Sequence, residues 1–321
     1  MSPATPAIDV RGLVKSYGAH RALDGIDLQV PAGGVFAVLG PNGAGKTTLV
    51  RVLSTLQRAD AGTVRVLGHD VGTEPAAVRA RIAVTGQHAS VDEALTGWEN
   101  LTLFARLLGL SRAAARRRST ELLEEFSLTD AARRPVRTYS GGMRRRLDIA
   151  ASLIADPPLV FLDEPTTGLD PRTREEMWAT VRTLVDRGTT VLLTTQYLEE
   201  ADRLASRVCV VDRGRIVADD TPAGLKRSLG GLTLELTLAD AADAPRMHTL
   251  LLNLGATDVE AAPGGLRLSA GLVELAQLRT VHAAAEAAGI EIDELGARRP
   301  TLDEVFFSLT GPSGTLREVP A

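Results

Sequence analysis

The segment Gly40-Pro41-Asn42-Gly43-Ala44-Gly45-Lys46-Thr47-Thr48 fits the pattern G-x-x-x-x-G-K-[ST]. Glycines at these positions let backbone N–H groups turn inward around phosphate oxygens. A helix opening behind them adds partial positive charge. The Lys46 ammonium can reach the β and γ phosphates, and the Thr47 hydroxyl can ligate Mg²⁺. The plainer alternative is a glycine turn with an incidental lysine. Against it, the 321-residue chain has only three lysines, Lys15, Lys46 and Lys226, and one of them completes the pattern. A second apolar run, Leu159-Val160-Phe161-Leu162, ends in Asp163-Glu164. Alone that is an ordinary strand end. In a phosphate-binding chain the first carboxylate can hold Mg²⁺, and the second can orient or deprotonate an attacking water.

These groups need elements to position them. The apolar run 34–39 ends in Gly40 and reads as a buried strand, with a helix from about Lys46 to Leu56 behind it. Residues 8–14, 21–30 and 61–67 read as short strands with glycine turns. Helical periodicity runs over 98–127, then over 143–155. Strands at 159–162, 190–194 and 207–212 alternate with helices at 172–187 and 197–205. Such alternation predicts an α/β domain with a parallel sheet covered on both faces. Past Gly230-Gly231 the pattern changes. Strands at 232–238, 256–261, 265–269 and 290–296 surround helices at 245–254 and 272–288. The order β-α-β-β-α-β predicts a small α+β domain of ferredoxin-like type.

Charge supports the same division. Residues 1–231 hold 30 basic and 27 acidic side chains, whereas 232–321 hold 6 and 13, within a total of −4. The net negative charge argues against a nucleic-acid binder held by bulk charge. No apolar run reaches the roughly 18 residues of a membrane-spanning helix, and Met1–Ile8 lacks the pattern of a secretory signal. One cysteine, Cys209, excludes an internal disulfide and reads as a buried strand residue. The histidines His20, His69, His248 and His282 show no metal-binding spacing, and His88 reads as a loop residue. Arg116–Arg118 and Arg144–Arg146 read first as solvated helix faces of an arginine-rich chain. The sharper alternative is proximity to anionic lipid or a membrane partner.

Between the two phosphate-site motifs lies Tyr139-Ser140-Gly141-Gly142-Met143, close to the L-S-G-G-Q signature of ABC (ATP-binding cassette) ATPases. Gln87, in Thr85-Gly86-Gln87, resembles their Q-loop, and Thr167-Gly168-Leu169-Asp170 their D-loop. Tyr17 looks like the aromatic that stacks on adenine. Order and spacing agree over residues 8–230. The resemblance implies a phosphate-loop NTPase of ABC type, with an antiparallel β subdomain and a helical signature subdomain at about 88–150. A regulatory or assembly domain would follow at 231–321. It implies ATP and Mg²⁺ as cofactors, with Thr47, Gln87 and Asp163 on the metal.

Two copies would pair head to tail around two ATP molecules. Each nucleotide would be gripped by the phosphate loop of one copy and by Ser140, Gly141 and Gly142 of the other, with Asp170 beside them. Glu164, Lys46 and Gln196 would carry the hydrolysis. Gln196 departs from the family, which has a histidine there. A glutamine amide donates and accepts but does not titrate in this range. Retained γ-phosphate sensing with slower turnover is therefore expected. Met143 replaces the signature glutamine, with a mild effect expected.

The runs Gly168–Arg174, Gln196–Asp202 and Leu302–Phe306 look like the daunorubicin-resistance type of ABC ATPase. That type energises drug exporters through a separate integral-membrane subunit, at the cytoplasmic face of the cell membrane. Other exporter cargoes (lipid, polysaccharide, peptide) and non-transport ABC proteins are the alternatives. A single phosphate loop and no long coiled coil argue against ribosome- and DNA-directed members. Glu164 argues against a regulator without turnover. Finally, Thr301-Leu302-Asp303-Glu304 fits a capping box. Leu302, Val305, Phe306 and Leu309 share one face of the helix behind it. That face packs either on the C-terminal domain's own sheet or against the partner subunit or the nucleotide domain.

Overall fold

The structure is a computed structural model that describes residues 5–86, 90–228, 232–272 and 274–310. It divides into two units, Met1–Thr221 and Pro222–Ala321. The division anticipated at 230/231 falls on residues outside those described.

The first unit begins with Ile8–Tyr17 (β1), His20–Val30 (β2), Gly34–Leu39 (β3), Lys46–Leu53 (α1), Ala61–Val66 (β4) and His69–Asp70 (β5). Pro75–Arg79 (α2), Ile82–Thr85 (β6), Gly97–Leu107 (α3), Arg112–Glu125 (α4) and Gly141–Ser152 (α5) follow. Then come Leu159–Asp163 (β7), Pro171–Asp186 (α6), Thr190–Thr195 (β8), Leu198–Leu204 (α7), Arg207–Asp212 (β9) and Arg215–Asp220 (β10). The periodic stretch expected over 98–127 is two helices, broken at Gly109, whose φ of 87° suits glycine.

Two sheets result. One is antiparallel, in the order β2-β1-β4-β5; the other runs β10-β9-β3-β8-β7-β6. In the second sheet, β6, β7, β8, β3 and β9 pair in parallel, and only the β9–β10 hairpin is antiparallel. Its inner strands are continuous apolar runs because both faces are covered. Along β7 and β8 alternate residues serve opposite faces. Phe161 and Leu192 join α1 and the antiparallel sheet in one core, together with Leu49, Leu53, Ile8 and Leu23. Val160, Leu162, Val191 and Leu193 pack on the other side with Leu147 of α5 and Met177 and Val181 of α6. Cys209 is buried in the first of these cores, and that burial pushes its thiol pKa up.

The second unit contains Pro222–Ser228 (α8), Leu232–Leu238 (β11), Ala244–Asn253 (α9), Thr257–Ala261 (β12), Arg267–Leu272 (β13), Gln277–Ala287 (α10), Ile292–Arg298 (β14) and Leu302–Thr310 (α11). Its sheet runs β12-β13-β11-β14, all antiparallel. This is the ferredoxin-like arrangement expected from the β-α-β-β-α-β order. Leu272, expected to open the second helix, is the last residue of β13 instead. It is pinned there by pairing with Leu232. The capping box at Thr301 is present: Glu304 N–H donates to Thr301 Oγ1 at 3.3 Å and Thr301 N–H to Glu304 Oε2 at 2.8 Å. Leu302 and Val305 are buried, and α11 packs on α8.

Candidate functional site

Sheet order explains how distant motifs meet. Strand β8 lies between β3, which feeds the phosphate loop, and β7, which carries the acids. In register, Leu39 opposes Thr195 and Asp163 opposes Thr194. All three strands therefore end at one edge of a parallel sheet, where ligands of α/β proteins bind.

The phosphate loop is shaped by its backbone. Ala44 N–H bonds Pro41 O at 3.2 Å, and Gly40 N–H bonds Thr195 O at 3.4 Å. Gly214, in the β9–β10 turn, donates to Ala44 O at 2.9 Å. Gly45 has φ 110°, and a Cβ there would stand 2.5 Å from Ala22 O, so only glycine fits. Helix α1 opens at Lys46 directly behind it. Lys46 is 4% exposed, and its Nζ donates to Gly40 O (2.8 Å) and Pro41 O (3.1 Å). The same atom lies 3.3 Å from Glu164 Oε1. Asn42 and Gly43 are exposed on the loop's rim, while Thr47 and Thr48 are half-buried in the first turn of α1.

The two acids differ in setting. Asp163 is buried, and its Oδ1 accepts from Thr194 Oγ1 and, at 3.4 Å, from Thr47 Oγ1. A hydroxyl and a carboxylate thus converge on one point, a hard oxygen donor set that suits Mg²⁺. Glu164 is half-buried, and its φ of 48° is in the left-handed region, which is unusual for a side chain of this size. Its N–H is held by Thr194 O and Thr194 Oγ1, both at 3.1 Å. Thr167 Oγ1 donates to Glu164 Oε2 at 3.2 Å. Gln196 is half-buried one residue beyond β8.

The signature forms the start of α5. Ser140 is its N-cap, accepting from Met143 N–H at 3.2 Å. Gly141 is exposed. A Cβ on Gly142 would lie 2.0 Å from Thr173 Cγ2. Thr173 is itself fixed by Asp170, the N-cap of α6, which accepts from Thr173 N–H (2.9 Å) and Thr173 Oγ1 (2.7 Å). Those bonds hold the Asp170 carboxyl below the usual carboxylate range. Signature and D-loop are therefore one packed junction. Tyr139, where the family pattern has leucine, is buried with its hydroxyl donating to Ala131 O at 2.7 Å.

Within one chain, no hydrogen bond or ion pair among the described residues joins Ser140, Gly141 or Gly142 to the phosphate loop. Tyr17 is 43% exposed at the end of β1, its hydroxyl donating to Gln57 Oε1 at 2.6 Å. The structure does not bring it into hydrogen-bond contact with the loop. Gln87 lies outside the described residues.

The arginine runs are not uniformly solvated faces. Arg116 and Arg117 are exposed, but Arg118 is largely covered, donating to Leu153 O at 2.8 Å and paired with Asp156. Arg146 donates to Phe126 O at 3.2 Å and faces Glu176. Arg145 is buried beneath the acid pair. The spacing Arg145-x-x-Asp148 on a helix was the available signal, since i and i+3 share a face.

The family described as ABC transporter matches residues 23–167. The daunorubicin resistance ATP-binding protein DrrA2 of Streptomyces coeruleorubidus is 54% identical over 306 residues, which cover 95% of each chain. This chain belongs to the ABC transporter ATP-binding proteins. The daunorubicin/doxorubicin resistance ATP-binding protein DrrA of Streptomyces peucetius is also 54% identical, over 96% of this chain and 93% of its own length. Among solved structures, an ATP-binding cassette of an ABC transporter in its ADP conformation superposes with a TM-score of 0.62. It is 26% identical and covers 68% of this chain and 91% of its own. The ABC fold expected from the motif order is thus present, and the phosphate-site geometry is that of an ATP-binding subunit.

Proposed function

We propose that this ABC subunit hydrolyses ATP to drive export of an amphiphilic drug or antibiotic through a separate integral-membrane subunit. The observation that carries the reading is likeness over nearly the whole chain, second unit included, to proteins named for daunorubicin resistance. No helix among the described residues is long and apolar enough to cross a membrane, and this reading assigns the passage for cargo to the separate membrane subunit. The chain acts at the cytoplasmic face, as a head-to-tail homodimer. In that pairing Ser140, Gly141 and Gly142 of one copy complete the phosphate site of the other, and Tyr17 stacks on the base.

The site's residues divide the work. Backbone N–H groups of Gly43–Thr48 and the Lys46 ammonium offset charge on the β and γ phosphates. Thr47 and Asp163, with Gln87, would hold Mg²⁺, which supplies charge neutralisation across the phosphates. Glu164 takes the proton from the attacking water. Its contact with Lys46 aims the carboxylate. The Gln196 amide donates to the γ-phosphate without adding charge.

The test begins with Glu164→Gln, tagged in the native host, with membranes solubilised in ATP. A multi-spanning protein recovered at near-equal amount, together with lost turnover and retained ATP, supports the reading. So does raised cellular accumulation of an anthracycline in a strain lacking the chain. Recovery of ribosomes or DNA instead, or unchanged ATPase activity in the variant, overturns it.

A further inference from the structure

Arg145 is the most deeply buried arginine side chain in α5, with 9% of its side chain exposed. Its guanidinium is spread over backbone carbonyls of the acid-pair loop and of β6's end. Nε donates to Pro165 O at 3.2 Å, Nη2 to Asp163 O at 3.3 Å, and Nη1 to Gly86 O. The carbonyls of Asp163 and Pro165 flank Glu164 on either side. One planar fork therefore fixes both neighbours of the residue whose backbone is left-handed. Thr194 holds the intervening N–H from the opposite direction. A strained conformation persists only when its surroundings over-determine it, and these contacts do so.

The charge has a counterpart. Asp148, one turn along α5 and also buried, lies 3.7 Å from Arg145 Nη1 and accepts from Ser90 N–H at 2.7 Å. Burial disfavours the charge on both groups, and their mutual attraction partly offsets it. Arginine nonetheless stays protonated at any working pH. The fork is permanent and suited to several acceptors, which a lysine's point charge is not.

We propose that Arg145 is a positioning residue for hydrolysis, holding Glu164 in line and tying that carboxylate to the signature helix. Arg145 stands five residues beyond Ser140, about 7.5 Å along the helix axis. A displacement of the signature end of α5 is therefore passed to the carbonyls on either side of Glu164. The signature that grips the partner's nucleotide thereby sets the geometry of its own chain's general base. The inference rests on the ATPase reading above, in which Glu164 is that base.

The test compares Arg145→Lys with Glu164→Gln in the assembly purified through a tag on this chain. For Arg145→Lys, kcat is expected to fall at least tenfold with KM for ATP within twofold of the parent, and with the melting temperature retained. Adding Arg145→Lys to Glu164→Gln is expected to cost nothing more. A neutral pair, Arg145→Gln with Asp148→Asn, keeps the shape and carries the same expectation if the lysine variant misfolds. Unchanged kcat in either folded variant overturns the proposal, as does a parallel loss of ATP binding. Full turnover in Glu164→Gln would instead overturn the base assignment, so the two failures are distinguishable.

Discussion

The two units of this chain bury different things. Among the described residues, every buried charged or polar side chain lies in the first unit, including Lys46, Arg145, Asp148, Asp163, Thr194 and Glu200. The second unit's core is Leu234, Leu236, Leu238, Met247, Leu251, Leu268 and their apolar neighbours. Burying a charge costs several kcal/mol unless it is paired. A chain that does so repeatedly in one unit and not in the other has placed its chemistry there. Glu200 illustrates the point: it is buried, its carboxyl pushed up by desolvation, and it accepts from Trp178 Nε1 at 3.2 Å. It joins α7 to α6 beneath the site. The buried core of the second unit is apolar throughout, as that of a packing module would be.

Five substitutions sharpen or break that contrast. The largest effect is expected from Leu236→Ala in the second unit, which removes a buried side chain and costs about 2–5 kcal/mol. Denaturant unfolding should show the loss while ATP affinity stays at the parent value. A matching fall in ATP affinity would break the comparison. Next is Gly142→Ala. Its Cβ would meet Thr173 Cγ2 at 2.0 Å, so the start of α5 must shift, and misplacement on the order of 1 Å can cost 10²-fold in rate. Adding Thr173→Ser removes the obstructing methyl and keeps a hydroxyl for Asp170, so ATPase turnover should recover.

A smaller effect is expected from Gln196→His, where turnover should rise several-fold and gain a pH dependence near neutrality. A flat rate would show that the amide already suffices. The smallest effect lies in the second unit's tail. Glu304 is held below its ordinary value of 4.5 by Arg298, which forms bonds of 2.7 and 3.0 Å, with help from Thr301 N–H. Because the folded value is depressed, this stabilisation is present above the unfolded value. It is lost as pH falls through the folded one. Protection factors over α11, taken relative to the intrinsic exchange rate at each pH, should fall on acidification, and Glu304→Gln should remove that pH dependence.

Much of this was legible in the sequence because the relevant constraints are local. Gly45, Lys46 and Thr47 must be neighbours to wrap a phosphate, and an acid must end an apolar strand to reach it. The ferredoxin-like order of the second unit was readable from period-two and helical stretches separated by turns. Strand adjacency was not readable, because nothing in the composition of 190–195 says that β8 inserts between β3 and β7. Thr194, which holds both acids, was therefore missed. The role of Arg145 is hidden in the sequence for a related reason. Three consecutive arginines look alike in sequence, but a helix turns each by 100°, and only packing decides which one faces inward. The short edge elements β5 and β6 carry too few residues for periodicity to show.

The register of β8 has a consequence for how such chains can change length. Thr194 and Thr195 reach their partners on β7 and β3 only at one alignment. Because side chains alternate across a strand, a single inserted residue would turn each hydroxyl to the opposite side of the sheet. The turn at Arg187–Thr189 before the strand can absorb such an insertion, whereas the strand itself cannot. β8 thus works as a fixed ruler between the two phosphate-facing motifs, and gene variants with altered spacing should accumulate on either side of it and never within it.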